Sequence, residues 1–168
     1  MKSYFTLNTL IFCITVICSS SCNTTNQKLN KKDTLVNVFD SLDYDIALAY
    51  DYNGEGGDDI IDTKGRLANR IYKSAELTST QVKRITDIFC SKETYDKHAS
   101  VAACFDPHFG VVLYKADTVV AFVSVCLDCN YLHSSIEISQ ATAFSQLGTR
   151  NIIEFEKKYR FLISFKGF

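Results

Sequence analysis

The chain has 168 residues, 46% of them hydrophobic, and its 18 Lys and Arg against 19 Asp and Glu give a formal net charge of −1. A chain of this length is long enough for one domain with its own hydrophobic core. The near-neutral balance argues against a nucleic-acid partner, because binding of the phosphate backbone requires a basic surface.

The N-terminus has the organisation of an export signal. Lys2 precedes the apolar run FTLNTLIFCITVIC, and the small-residue stretch SSSC follows that run. A charged region, an apolar region and small residues in this order are typical of a cleavable signal peptide. The apolar run is also shorter than the about 20 residues that a transmembrane helix requires. We therefore predict that residues 1–21 are a signal peptide.

Cys22 directly follows three serines, and the arrangement resembles the lipobox of bacterial lipoproteins. In that class the cysteine is acylated and becomes the mature N-terminus. This chain departs from the usual pattern because Ser19 stands where most such boxes have Leu. We expect a lipid anchor at Cys22, and the alternative is a simple secretory signal cleaved nearby. Both place the folded part outside the cytoplasm, and with the lipid anchor we expect it in the bacterial cell envelope, in the periplasm or on the cell surface.

Residues 22–34 are predominantly polar, and Leu29 is the only large apolar side chain among them. Such a segment cannot bury enough surface to offset the entropy lost on ordering. We predict that residues 22–34 form a flexible tether and that residues 35–168 form a single domain.

The first part of this domain contains one clear strand. In DYDIALAYDYNGEGG, Ile46, Leu48 and Tyr50 alternate with smaller or polar residues ahead of a glycine-rich turn. This alternation predicts a strand that runs into the turn. The segment IIDTKGRLANRIY is ambiguous, and it fits a short strand with a turn at residues 64–65.

The segment LTSTQVKRITDIFC predicts a helix of about three turns that covers a sheet. Its apolar side chains recur at helical spacing, at Val82, Ile85, Ile88 and Phe89. Either Ser79 or Thr80 is available as the N-cap.

The segment GVVLYKADTVVAFVSV predicts a β-hairpin, because two strand-like apolar runs flank a turn at residues 116–118. If Tyr114 pairs with Val119 and the pairing continues regularly, the partner of every residue further from the turn is fixed. This register places Leu113 opposite Val120, Val111 opposite Phe122, Pro107 opposite Cys126 and Cys104 opposite Cys129.

Two further elements follow the hairpin. HSSIEIS, residues 133–139, has the alternation of a strand, and SQLGTRNIIEFEKKYRF has Ile152 and Phe155 at helical spacing. Ser145 or Thr149 can cap this helix. Strands joined by short turns form antiparallel sheets. We therefore predict an α+β fold with a central hairpin in an antiparallel sheet and two helices packed on one face.

Four cysteines remain after Cys22, an even number that in an exported protein favours disulfides. The predicted register favours a bond from Cys104 to Cys129 or Cys126, which would tie the base of the hairpin. A Cys126–Cys129 bond requires the strand to bend into a turn, because residues three apart in an extended strand point to opposite faces. The role of Cys90 is open.

The alternative is a metal site. Cys104 and His108, followed by Cys126 and Cys129, form two short-spaced pairs, which is the pattern of a tetrahedral Cys₃His zinc site. The compartment argues against it, since exported thiols tend to be oxidised. Without zinc we expect no cofactor.

A thioredoxin-like redox role is disfavoured. The first cysteine of such a motif lies at a helix N-terminus, which lowers its thiol pKa. Here CLDC continues into a strand-like segment, and Asp128 between the cysteines would raise a thiolate pKa.

The run ACFDPHFGVVLYKADTVVAFVSVCLDCN resembles the signature of a family of small uncharacterised bacterial lipoproteins. That family carries a CFxPxxG element, a hairpin and a CxxC element, and the similarity extends from about Tyr44 to Phe161. The resemblance implies an exported single domain and implies no activity. Its motif positions are Cys104, Pro107, Gly110, Cys126 and Cys129.

No P-loop, nucleophile elbow or HExxH motif occurs in the sequence. We therefore expect a lipid-anchored, non-enzymatic binding or envelope module, stapled by a disulfide, with an unknown protein or small molecule as its partner. A structural zinc protein is the alternative.

Overall fold

A computed structural model describes residues 36–139 and 141–161 of the chain. The predicted signal peptide, Cys22 and the tether lie outside the described residues. The strands are β1 (Ile46–Tyr52), β2 (Ile71–Glu76), β3 (Phe109–Lys115), β4 (Thr118–Cys126) and β5 (Tyr131–Ser134), and the helices are α1 (Ser79–Cys90) and α2 (Gln146–Lys158). The strands form one antiparallel sheet in the order β2-β1-β3-β4-β5. The predicted α+β class is confirmed.

One face of the sheet is covered by both helices. Small side chains of β1, Ala47 and Ala49, leave room for large ones from α1 and α2, such as Phe89 and Phe155, and all four are buried in one cluster. Thr78 caps α1 in a capping box with Gln81. The predicted cap at Ser79 or Thr80 was therefore one or two positions late, whereas Ser145 caps α2 as one of the predicted alternatives.

The opposite face is covered by an irregular segment, residues 53–70. Ile60 and Ile61 of this segment pack in a second cluster with Tyr50, Tyr52 and Val112. The large alternating side chains of β1 thus point away from the helices. Gly110 permits this packing, because a Cβ atom there would lie 2.9 Å from the Cβ of Ile60.

The hairpin of β3 and β4 forms, but its register departs from the prediction. Tyr114 faces Val119 as expected, and a bulge then shifts the register, so that Leu113 faces Ala121. A slip of one residue exchanges the two faces of a strand. Here it directs Val123 and Val125 towards the helices, and it leaves Phe122 to pack in the opposite cluster.

Two strands differ from expectation. The last strand is Tyr131–Ser134 rather than residues 133–139. Beyond it the Ser134 Oγ accepts a hydrogen bond from the Ile136 N–H at 3.3 Å, and Ile138 turns into the helix-side core. The strand β2 follows an isolated bridge between Ile61 and Leu67.

Candidate functional site

The disulfide joins Cys126 to Cys129, whose Cα atoms are 5.1 Å apart. Cys126 ends β4, and the chain then turns through residues 127–130, with Asn130 at a positive φ of 67°. This turn is the bend in the strand that a Cys126–Cys129 bond requires. A disulfide is therefore present, as expected, but it is the conditional pairing Cys126–Cys129 rather than the favoured one, and it closes the β4–β5 turn.

The register-based pairing of Cys104 is corrected, because Cys104 is a free, exposed cysteine. The bulge in the hairpin explains the difference, since it displaces the register by one residue. Phe105 packs against Cys126 and Cys129 in its place. The two segments do meet as predicted, and the Ala102 N–H donates to the Cys129 carbonyl at 2.9 Å.

The four proposed zinc ligands are not gathered into one cluster. Cys126 and Cys129 are bonded to each other, and the Nδ1 atom of His108 lies 3.3 Å from the carbonyl oxygen of Tyr52. Within the part of the chain that the structure describes, no group of three or more His, Cys, Asp or Glu side chains is placed to hold a metal ion.

Cys90 has a structural environment. Its side chain is buried at the end of α1, and its Sγ donates to the Asn37 side-chain oxygen at 3.5 Å. Burial raises the pKa of this thiol. A buried thiol with a raised pKa is unreactive. Cys90 is therefore a residue of the hydrophobic core and not of a functional site.

A cavity of about 760 Å³ lies beside the disulfide-closed turn. We call it the α2 groove, and its lining combines α2, the turn and the loop at residues 96–99. Its apolar lining residues are Ala99, Leu127, Phe144 and Ile153, and its charged ones are Asp96, Asp128, Arg150, Glu154 and Lys157.

The disulfide and a set of backbone contacts fix the groove. Leu127 and Asp128 lie between the two bonded cysteines. The Asn130 carbonyl accepts the N–H of Phe144 at 2.9 Å, and the Asn130 side chain donates to the Ser100 carbonyl at 2.9 Å. Turn, helix and loop are therefore held in one arrangement.

The N-terminal end of α2 is also packed tightly. A Cβ atom on Gly148 would lie 2.2 Å from the carbonyl oxygen of Thr94, and the Ser145 Oγ donates to the Glu93 carbonyl at 2.5 Å. The helix thus lies directly on the short 3₁₀ turn Lys92–Thr94. Only glycine permits this distance.

The charges of the groove are only partly divided by element. Both cationic residues, Arg150 and Lys157, come from α2, which also contributes Glu154, whereas the loop and the turn contribute the acidic Asp96 and Asp128. Around an apolar floor, the groove therefore offers both signs of charge. A cavity of this size, apolar with a few polar groups, is the usual form of a ligand site.

Sequence reasoning identified the CxxC turn and missed the remainder of the groove. Arg150, Glu154 and Lys157 look like the solvated face of an ordinary amphipathic helix. Ile153, which lies on the groove side of that helix, is the one apolar residue whose position could have indicated a second contact surface. Nothing in the sequence near residue 96 indicates that this loop approaches the turn.

Comparison of the chain with protein-family models, with curated proteins and with solved structures gave no match. The resemblance to small bacterial lipoproteins therefore stays a prediction. None of the helices among residues 36–139 and 141–161 has the length and apolar character needed to cross a membrane.

Proposed function

We propose that this protein is an exported, lipid-anchored, non-enzymatic module that binds its ligand in the α2 groove. The groove is the observation that carries the proposal, because it joins an apolar floor to charged groups of both signs. The disulfide supports export, since such bonds persist mainly in oxidising compartments. Cys22 and the preceding signal pattern support the lipid anchor.

The proposed ligand is a short peptide segment with an apolar side chain between charged groups. Leu127, Phe144 and Ile153 would contact the apolar side chain. Arg150 and Lys157 would attract carboxylates of the peptide, and the carboxylates of Asp96 and Asp128 would attract its amino or guanidinium groups. The cavity volume of about 760 Å³ suits a ligand of a few residues.

The groove is tested by selection from a phage-displayed library of random dodecapeptides on the purified chain. We expect enriched peptides that carry an apolar residue flanked by charges. Ile153→Arg, which places a charge on the groove floor, should abolish binding of the selected peptides. Leu147→Arg is the matched control, because Leu147 is exposed on the same helix and does not line the groove. Equal loss of binding in both variants, or no enrichment, would refute the groove assignment.

The anchor is tested separately by growing expressing cells with an alkyne-bearing fatty acid. The wild-type chain should carry the label and sediment with membranes, and Cys22→Ser should lose both properties. Cys13→Ser and Cys18→Ser are the controls, because both cysteines lie within the predicted signal peptide. Label that persists in Cys22→Ser would exclude this anchor and leave the groove proposal unaffected.

A further inference from the structure

Among residues 36–139 and 141–161, the strand β2 is paired on one side only, by β1. The Leu77 N–H donates to the Ala47 carbonyl at 2.8 Å, and Ala75, two residues earlier, continues the same register. Because hydrogen bonding alternates along an antiparallel ladder, the backbone N–H and C=O groups of Ser74 and Glu76 point away from β1. The outer edge of β2 thus presents backbone donors and acceptors to solvent.

This edge lacks the usual protection against further pairing. Native sheets blunt their edges with proline, outward charges, bulges or very short strands. β2 has six residues and no proline, and the bulge in its pairing with β1 lies near its start. Its one lysine, Lys73, is turned towards the end of α2, where its Nζ donates to the Tyr159 carbonyl at 3.3 Å and lies 4.7 Å from the ring centroid of Phe161. The opposite edge strand, β5, has only four residues.

We propose that the outer edge of β2 pairs with β2 of a second copy of this chain. The two strands run antiparallel about a two-fold axis at Ala75, so that Ser74 of each copy faces Glu76 of the other. Each facing pair exchanges its backbone hydrogen bonds, and every outward N–H and C=O group of these two residues then has a partner. The two five-stranded sheets become one continuous sheet.

The side chains fit this register. Ser74 and Glu76 are exposed and lie on the same face of the sheet, so the hydroxyl of one copy can donate to the carboxylate of the other. On the opposite face, the two copies of Ala75 form a non-hydrogen-bonded pair, in which Cα atoms lie only about 4.5 Å apart. A small side chain suits this close approach.

Neighbouring registers are less favourable. An axis at Ser74 would require outward groups from Tyr72, which the bulge removes from the regular register with β1. An axis at Glu76 would place two carboxylates directly opposite each other, and like charges in such pairs destabilise a sheet. A peptide strand would meet the same backbone groups, but the two matched contacts between Ser74 and Glu76 are specific to a second copy.

The pairing is independent of the proposed ligand site. The α2 groove contains no residue of β2, so both grooves stay open when two copies join. The inference therefore stands whether or not the groove binds peptides.

Cross-linking across the axis tests the pairing. Ala75→Cys would bring two thiols together at a Cα separation of about 4.5 Å, which lies within the range that a disulfide spans. The variant is made in the full chain with Cys104→Ser, because Cys104 is exposed and free. The protein is purified in mild detergent and oxidised with copper phenanthroline. We expect a covalent dimer on a non-reducing gel. Leu147→Cys in the same background is the matched control, since Leu147 is exposed on α2, and it should stay monomeric.

Charge reversal tests the register. With Ala75→Cys retained, Ser74→Glu should lower the cross-linked fraction about fivefold, because it places two pairs of like charges across the axis. Adding Glu76→Lys should restore this fraction, since each introduced glutamate then faces an introduced lysine. Both positions are exposed, and circular dichroism checks that the variants are folded.

Absence of a covalent dimer from Ala75→Cys, or equal cross-linking of Leu147→Cys, would overturn the second copy as the partner of this edge. Failure of Glu76→Lys to restore cross-linking would overturn the register. A chain that stays monomeric but binds a peptide along β2 would also contradict the proposal, because the partner would then be a peptide strand.

Discussion

The two faces of the sheet are covered by different kinds of structure. α1 and α2 cover one face with side chains at regular helical spacing. The irregular segment 53–70 covers the other with a smaller cluster that includes Ile60 and Ile61. The candidate site lies where the regular helix α2 meets the irregular turn at residues 127–130, and its lining includes no residue of the segment 53–70. The packed helix α2 forms a rigid wall of the groove. The disulfide makes the turn at residues 127–130 rigid, where regular secondary structure ends.

The largest predicted effect tests the helix-covered face. Phe155 is fully buried between α2 and the sheet. Phe155→Ala should lower the free energy of unfolding by about 3–5 kcal/mol, since it removes a large core side chain and leaves a cavity. Urea denaturation measures the loss. Leu147→Ala, at an exposed position of the same helix, should change stability by less than about 0.5 kcal/mol. Similar losses in both variants would contradict the assigned packing of α2.

The second prediction concerns a buried carboxyl on the same face. Glu156 is fully buried, neither of its carboxyl oxygens has a hydrogen-bond partner among the described residues, and burial raises its pKa to about 8, with a smaller contribution from Asp51. Between its ordinary pKa of 4.5 and about 8, the folded protein therefore binds more protons than the unfolded chain. Its contribution to stability is full below that window and is lost as the pH rises through it.

Glu156→Gln keeps the shape of the side chain and removes this titration. At pH 9 the variant should be more stable than the wild type by on the order of 2–4 kcal/mol, as measured by urea denaturation across pH 4–9. Glu154→Gln, at an exposed neighbouring position, is the control and should retain the wild-type pH dependence. A Glu156→Gln curve parallel to that of the wild type would show that Glu156 is not the group responsible.

The third prediction tests the loop-covered face. Gly110→Ala would place a Cβ atom 2.9 Å from the Ile60 Cβ and 3.0 Å from its Cγ1, and we expect a loss of about 1–3 kcal/mol from this overpacking. Ile60→Ala alone leaves a cavity, but in combination with Gly110→Ala it should cost less than the two single losses together. Strict additivity in a double-mutant cycle would indicate that the two residues are not in contact.

The smallest predicted effect comes from the disulfide. The Cys126–Cys129 bond closes a very short ring, so the entropy it removes from the unfolded chain is small. Replacement of both cysteines by Ala should therefore lower stability by only about 1–2 kcal/mol. The same double variant should bind groove-selected peptides much more weakly, because Leu127 and Asp128 lose their fixed positions. Unchanged peptide affinity would show that the bond does not organise the groove.

The regular elements could be predicted from the sequence because the spacing of apolar residues directly indicates which side chains are buried. Val82 and Ile85 recur at helical spacing and do lie in the core, as do Ile152 and Phe155. The strand β2 gave no comparable signal. It lies at a sheet edge, where its side chains alternate only between half-buried and exposed.

The pairing of the cysteines could not be predicted because it depends on a single irregular residue. The bulge in β4 places Val120 outside the regular register, and this brings Phe105 rather than Cys104 against the CxxC turn. No sequence pattern at Val120 indicates the bulge. The groove depends on how α2 approaches the turn, and that approach is set by long-range contacts such as the one between Phe144 and Asn130.

The most direct test of the groove assignment is a two-dimensional NMR titration of the isotope-labelled protein with a library-selected peptide. Peptide-induced shifts should concentrate on the backbone amides of Leu127, Asn130, Phe144, Thr149 and Ile153, which line the groove. Shifts concentrated on the exposed side of β2 or on the segment 53–70 would contradict the account, and so would a peptide that binds without moving the signals of α2.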